Sequence, residues 1–396
     1  MDSQRVLIIV ENLPVPLDRR VWQEACTLRD AGHQVTVICP QMRGHMERYE
    51  TIEGIKILRH RISKEASSIP GFLLEYTTAL LGEMRCAIKA WRDGGFDVIH
   101  ICNPPDLLFL VALPFKLLAG IRIIFDAHDL WPEMFEAKFR KRGLFYWMVR
   151  LAERCTLATA DAIICTNASV QDHIATRSNR SKDTFFVVRT SPTKIDTRFP
   201  AREALRRGKK HLVAYIGVMG NLDGVDYLLR AAHHIVTDLG RADIHFLLMG
   251  NGPEYTRMVE LRDFLGLTET VEMPGRVSDD QLSSALQTMD LGITCDPINE
   301  YNDCCTMNKT LEYMAFSKPQ VMFATREGKV SAGDSALYVH QNSAKALAAG
   351  ILELLDDPLR REIMGRVGRA RLESELSWEN SAMQLLRAYK HATTKR

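Results

Sequence analysis

Apolar runs of strand length alternate with amphipathic stretches along this chain, and the alternation starts afresh near its middle. In the first half the runs are RVLIIV from Arg5, QVTVIC from Gln34, DVIHIC from Asp97, IRIIFD from Ile121, DAIICT from Asp161 and TFFVV from Thr184. The second half continues with HLVAYIGV from His211, IHFLLM from Ile244, TVEM from Thr270, DLGITC from Asp290 and QVMF from Gln320. Helical patterns lie between them. DRRVWQEACTLRDAG is one, with Asp18 as its cap and Gly32 as its stop. Continuously apolar strands joined by helices indicate parallel sheets covered on both faces. The 396 residues suffice for two such cores. The expected fold class is α/β, with two Rossmann-like, doubly wound parallel-sheet domains facing across a cleft.

The linker is RTSPTKIDTRFPAREALRRGKK from Arg189, which holds two prolines, many charges and little apolar content. The expected division is therefore residues 1–195, 196–375 and a last helix over 376–396, a candidate for crossing back onto the first domain.

A net charge of +2 implies no bulk attraction to nucleic acid. The nine cysteines are scattered, several inside apolar runs, as buried thiols in a reducing cytoplasm would be. Cys304 and Cys305 have no second pair at zinc spacing, and no D-x-D sequence occurs. No metal is expected. The start of the chain has no signal-peptide layout, and the longest apolar run, LLFLVALPF from Leu107, is too short to span a bilayer. These features point to a cytoplasmic protein, with peripheral contact at the inner membrane face left open.

In doubly wound sheets, ligands gather at the carboxyl ends of strands. The first such loop, ENLPVPLDRR, lacks the glycine fingerprint, so no dinucleotide cofactor is expected there. Its Asp18, Arg19 and Arg20 either meet a polar substrate or form a cap and a solvated face. The second half places Gly217 and Gly220 after one strand, and Gly250 and Gly252 after the next. Such loops let backbone amides approach a phosphate. CCTMNKTLEYMAFSKP then puts Lys309 in the first turn of a helix, where the dipole repels a cation. With Thr306 as cap, the amides of Met307, Asn308 and Lys309 lack intrahelical partners. A diphosphate would satisfy the amides and the ammonium together. Glu312 shares that helix face and could accept hydrogen bonds from ribose hydroxyls. The plainer reading is an exposed Lys–Glu pair. In the first half, FDAHDLWPEMFEAKF ends a strand at Asp126 and brings His128, Asp129 and Glu133 just beyond it. That cluster could handle a proton or simply cap the next helix.

These segments, with HICNPPDLLFL, MPGRVSDDQL and GKVSAGDSALYV, resemble a retaining nucleotide-sugar glycosyltransferase of family 4 with the GT-B fold. The likeness runs over nearly the whole chain and is strongest to the branch that builds bacterial surface and capsule polysaccharides. It implies that the second domain binds a nucleoside-diphosphate sugar, expected UDP-linked, as co-substrate, with no bound cofactor. Glu312 matches the ribose-holding second acid of the family's E-x7-E motif, and Lys309 a basic residue near the diphosphate. Gly217, Met219 and Gly220, with Gly250, Asn251 and Gly252, match segments lining the donor. Gly275 and Arg276 match the turn beside the base, and His128 a histidine near the transferred sugar. Thr306, Met307, Asn308 and Asp303 complete the donor set, and the first domain would hold the acceptor near Asp18, Arg19, Arg20, Asp129 and Glu133. His128, Lys309 and Glu312 form the implied catalytic set.

The sequence departs from the family pattern in three places. The first E-x7-E glutamate falls on Cys304, with Asp303 or Glu300 as neighbouring substitutes. The family's arginine and lysine after the first strand of the donor domain are Val218 and Asp223 here. The linker Asn-Gly reads Thr190-Ser191.

The expected reaction is transfer of a hexose or amino-hexose to an acceptor hydroxyl. A nucleotide-sugar epimerase of the same fold and a non-catalytic sugar-nucleotide-binding subunit are the alternatives. FEAKFRKRGLFYWMVRLAERC combines aromatics with Lys138, Arg140, Lys141 and Arg142. It suits either an anionic membrane bearing a lipid-linked acceptor or a core helix with a basic flank.

Overall fold

A computed structural model describes residues 3–42, 44–62, 69–139, 142–192 and 199–394, without the side chains of 69–75 and 138–139. The chain divides into two compact units: Met1–Thr190 with Glu379–Arg396, and Ser191–Trp378.

Among the described residues, unit 1 contains the strands β1 Arg5–Ile9, β2 Gln34–Pro40, β3 Tyr49–Ile52, β4 Ile55–His60, β5 Val98–Cys102, β6 Arg122–Ala127, β7 Ala162–Cys165 and β8 Phe185–Val187. Its helices are α1 Arg19–Asp30, α2 Ile69–Arg92, α3 Phe109–Ala119, α4 Trp131–Phe139, α5 Leu144–Thr159 and α6 Ala168–Ser178. The strands form one sheet in the order β3-β4-β2-β1-β5-β6-β7-β8. Leu7, Ile8 and Ile9 of β1 are fully buried, each contributing about 1.5–3 kcal/mol. Asp18 caps α1 as its sequence predicts, accepting the amide of Val21 at 3.1 Å.

The antiparallel pair β3–β4 departs from the expected all-parallel sheet and from the strand reading. Its turn is Glu53-Gly54, with φ of 49° and 83°, the left-handed pair that a tight hairpin requires. YETI alternates exposed and half-buried positions, so it has no apolar run to betray it.

Unit 2 contains β9 His211–Ile216, β10 Ile244–Met249, β11 Val271–Gly275, β12 Leu291–Thr294, β13 Gln320–Phe323 and β14 Ala336–Val339. Its helices are α7 Val225–His233, α8 Tyr255–Phe264, α9 Asp279–Thr288, α10 Asn308–Ala315, α11 Arg326–Ala332, α12 Ala344–Leu355 and α13 Pro358–Ser374. The order is β11-β10-β9-β12-β13-β14, and every pair is parallel. The short β14 was not expected as a strand. A final helix, α14 Trp378–Thr394, lies almost wholly in unit 1. Its Tyr389 is fully buried and its hydroxyl lies 2.9 Å from Nδ1 of His100 in β5.

In both sheets the strand order reverses direction beside the first strand, between β1 and β5 and between β9 and β12. Open sheets hold ligands in the crevice at such a switch, beyond the carboxyl ends. In unit 1 that end carries the loops before α1 and after β5 and β6. In unit 2 it carries the Gly217 loop and the segment from Cys295 to α10.

Candidate active site

In unit 2, two glycine loops are locked together by backbone. The Gly217 amide donates to the Met249 carbonyl at 3.1 Å, and the Met219 amide to the Asn251 carbonyl at 3.1 Å. The Gly250 amide donates to the Gly275 carbonyl at 2.9 Å. A Cβ on Gly250 would lie 1.8 Å from the Gly217 carbonyl oxygen, and one on Gly252 would lie 2.5 Å from that of Met219. These glycines are therefore demanded by the packing of one loop on the other. Asn251 turns back to accept the Gly252 amide at 2.7 Å, and Arg276 is exposed.

What holds a cation in the first turn of α10 is a carboxylate. Lys309 is 8% exposed, and its Nζ lies 2.8 Å from Asp296 just beyond β12. The Tyr215 hydroxyl is at 3.4 Å and the centroid of its ring at 4.7 Å. Burial works against the charge, but Asp296 and then Asp223 outweigh it and hold the ammonium above the usual lysine value. Neither the expected diphosphate clamp nor the exposed Lys–Glu pair describes this arrangement. The Lys309 stem also lies against the Gly217 loop, 3.3 Å from where a Cβ on that glycine would sit.

Thr306 is not the cap. The N-cap of α10 is Met307, which offers no side-chain acceptor, and the Thr306 hydroxyl instead lies 3.4 Å from Glu327. Among the described residues, no N-cap side chain bonds the first-turn amides of α10. Asp303 accepts the Arg326 amide at 2.8 Å, Glu300 is exposed, and Cys304 is buried. Glu312 is half-buried, one turn beyond Lys309. Where the family pattern would place two cations, Val218 is 59% exposed and Asp223 accepts the Gly220 amide at 2.8 Å. Sequence reading missed Asn302, whose amide bonds the carbonyls of Leu222 and Pro297 and ties the Gly220 loop to the Asp296 segment. It also missed Asp296. The signal for Asp296 is an acid directly after an apolar strand at the carboxyl end of the sheet.

In unit 1, Arg20 departs from the expected substrate contact and from a solvated face alike. It is 6% exposed and grips Asp126 with two hydrogen bonds, Nε to Oδ2 at 2.9 Å and Nη2 to Oδ1 at 2.6 Å. Nη1 donates to the Val188 carbonyl and the Thr190 hydroxyl, and Nη2 lies 3.3 Å from Glu24. Burial opposes ionisation of Asp126, but Arg20 overrides it and holds the carboxyl well below the usual range. Burial, reinforced by Asp126, pushes Glu24 well above it, and burial holds His100 below the usual histidine value. His128 is 13% exposed, with Nε2 2.6 Å from Asp126. Its amide donates to Oδ1 of Asn103 at 2.7 Å, and Asn103 also bonds the Asp129 carbonyl at 2.8 Å. Arg19 is exposed.

Glu133 does not join His128. It is bonded to His173 at 3.0 Å and to Arg177, which also pairs with the buried Glu153. Burial would raise Glu133, but the His173 hydrogen bond and the Arg177 charge keep it low. The carboxylate expected to meet an acceptor is already partnered.

Among the described residues, His100, Cys102 and Asp126 bring possible metal-ligand atoms within 4.8 Å of one another. They suit a cation poorly. Asp126 is saturated by Arg20 and His128, a guanidinium stands beside it, and burial keeps the Cys102 thiol protonated.

Residues 17–190 match the model of Glycosyltransferase Family 4, and residues 210–357 match that of Glycosyl transferases group 1. The chain belongs to glycosyltransferase family 4. The MMP alpha-(1->4)-mannosyltransferase of Mycolicibacterium hassiacum is 27% identical over 320 residues, 77% of this chain and 73% of that protein. The GDP-mannose-dependent monoacylated alpha-(1-6)-phosphatidylinositol monomannoside mannosyltransferase of Corynebacterium glutamicum is 28% identical over 162 residues, 39% of this chain and 41% of that one. Sucrose-phosphate synthase from Thermosynechococcus elongatus matches with a TM-score of 0.80 at 18% identity, covering 100% of both chains. The fold is GT-B, with one mixed and one parallel sheet. In this family 4 chain the ammonium at the start of α10 is paired within unit 2, with Asp296.

Proposed function

We propose that the chain transfers a hexose, with retention, from a nucleoside-diphosphate donor held by unit 2 to an acceptor hydroxyl held by unit 1. The carrying observation is the corner where α10 begins. An uncapped helix N-terminus meets two interlocked glycine loops at the strand-order switch, with Glu312 one turn further on. Backbone amides there suit pyrophosphate oxygens, and the Glu312 carboxylate suits ribose hydroxyls. Lys309 serves by fixing the Gly217 loop against α10 while Asp296 neutralises it.

In the reaction the C1–O bond to the diphosphate breaks, and its electron pair leaves on the phosphate oxygen. The acceptor oxygen bonds C1 on the same face, and its proton passes to the departing phosphate. The protein positions the reactants and stabilises the developing negative charge. The mannosyl transfer in both relatives' names favours a mannose-type hexose; UDP remains our first choice of nucleotide, with GDP beside it.

Contact with a membrane is part of the reading. Helix α5 exposes Leu144, Trp147, Met148 and Leu151 along one face, with Trp147 61% exposed. Arg154 is exposed beyond them, and the helix's one acid after Leu144, Glu153, is buried. Apolar and cationic side chains so arranged fit an anionic bilayer surface. Arg142 is paired with Glu136, while Arg140, Lys141 and the side chain of Lys138 lie outside the described residues. Among the described residues no helix is long and apolar enough to cross a membrane.

The test is incubation with UDP- and GDP-hexoses, with and without membrane-extracted acceptors. Release of nucleoside diphosphate together with a new glycoside of unchanged anomeric configuration supports the reading. An isomerised donor without acceptor would instead indicate an epimerase, and binding without turnover a non-catalytic subunit.

A further inference from the structure

The fork of Arg20 is fully committed inside unit 1, and what it commits is the orientation of His128. Both oxygens of Asp126 receive a guanidinium hydrogen bond, and Oδ2 also meets Nε2 of His128 at 2.6 Å. A carboxylate held in this way has no proton to give, so the imidazole must supply the one between them. Among the described residues, Nδ1 of His128 has no hydrogen-bond partner, and the ring is open to solvent at one edge. The backbone that carries the ring is held as well. Asn103, just beyond β5, holds the amides of both His128 and Asp129. The same Arg20 side chain reaches the Val188 carbonyl at 2.7 Å and the Thr190 hydroxyl at 3.2 Å, where the chain leaves unit 1.

We propose that Arg20 and Asp126 are positioning residues that fix the Nε2–H tautomer of His128 and turn its Nδ1 outward as a hydrogen-bond acceptor for a sugar hydroxyl. Two parallel guanidinium bonds set the plane of the carboxylate, and the carboxylate sets the ring. Lysine could supply charge at position 20 but not the fork. His128 then recognises a hydroxyl by accepting its proton in a hydrogen bond, a role that needs no transfer of that proton. The identity of the hydroxyl rests on the glycosyl-transfer reading; the tautomer does not.

The experiment is nitrogen-15 NMR of histidine-labelled full-length protein, with the His128 signals among the 12 histidines identified by their loss in His128→Gln. We expect protonated Nε2 and unprotonated Nδ1 in the neutral ring of the free wild-type protein. Asp126→Asn should mix the tautomers and lower kcat about 10- to 100-fold with donor and acceptor KM nearly unchanged. Arg20→Lys should fall between the two. Predominant Nδ1–H in the wild type would overturn the proposal, and that reading requires only the assignment variant His128→Gln to fold. So would an Asp126→Asn protein, folded by circular dichroism, whose His128 keeps the wild-type tautomer. Because the signals are read without substrate, their failure is separate from failure of donor turnover.

Discussion

The ammonium of Lys309, in the first turn of α10, lies 2.8 Å from Asp296, and both side chains are withdrawn from water. Removing one partner strands the other. Lys309→Met and Asp296→Ala are each expected to cost about 3–5 kcal/mol in urea unfolding. The double variant should cost less than the sum by about 1–3 kcal/mol. A loss below about 1 kcal/mol for each single change would mean that the pair is open to solvent, as surface pairs are.

Asp223 gives unit 2 a distinctive response to acid. Burial pushes its carboxyl up; Lys309 opposes that and Asp296 adds to it, leaving it at about 6 against an ordinary 3.8. Folding therefore favours the protonated form. Its contribution is complete below about 3.8 and is lost as pH rises through about 6. Asp223→Asn keeps an oxygen for the Gly220 amide and removes the penalty. The variant is expected to gain up to about 3 kcal/mol over wild type at pH 8 and nothing at pH 3.5. Equal denaturation midpoints at both pH values would contradict this.

The glycine loops separate two costs of adding a methyl group. Gly240 and Gly250 both have positive φ, but a Cβ on Gly240 meets nothing within 4 Å, whereas one on Gly250 lies 1.8 Å from the Gly217 carbonyl. Gly240→Ala should lose roughly 1–2 kcal/mol from backbone strain alone. Gly250→Ala should lose more than about 3 kcal/mol and weaken nucleotide binding, since both loops must part. Similar melting temperatures for the two variants would show that the loops are not locked.

Much of this fold is legible because buried parallel strands are largely apolar, as LVAYI from Leu212 and AIIC from Ala162 are. The hairpin β3–β4 escapes because its outer strand is half-exposed and Glu53-Gly54 is an uncommon turn pair. At the site, sequence reading found Lys309 and the strain it creates at a helix N-terminus. It supplied a ligand as the counter-charge because Asp296 lies 13 positions earlier and reaches Lys309 only through the β12–α10 crossover. Arg20 shows the same limit more sharply. Its partner is 106 residues away, and no local pattern distinguishes a buried fork from a solvated face. Spacing registers neighbours along one element, while counter-charges in this fold come from adjacent strands.

Helix α5 predicts a salt-sensitive association. Leu144→Glu with Trp147→Glu should abolish flotation of the protein with vesicles of phosphatidylglycerol and phosphatidylcholine while leaving donor hydrolysis unchanged. Wild-type protein that fails to float at low salt would remove the membrane from the account.

On the proposed reading, backbone at the start of α10, and not the Lys309 ammonium, receives the donor's diphosphate. A crystal structure with UDP or GDP bound tests it most directly. We expect phosphate oxygens on the amides of residues 307–309, the Glu312 carboxylate on the ribose, and Lys309 still paired with Asp296. A nucleotide lodged elsewhere, or Lys309 released from Asp296 and bound to phosphate, would contradict it.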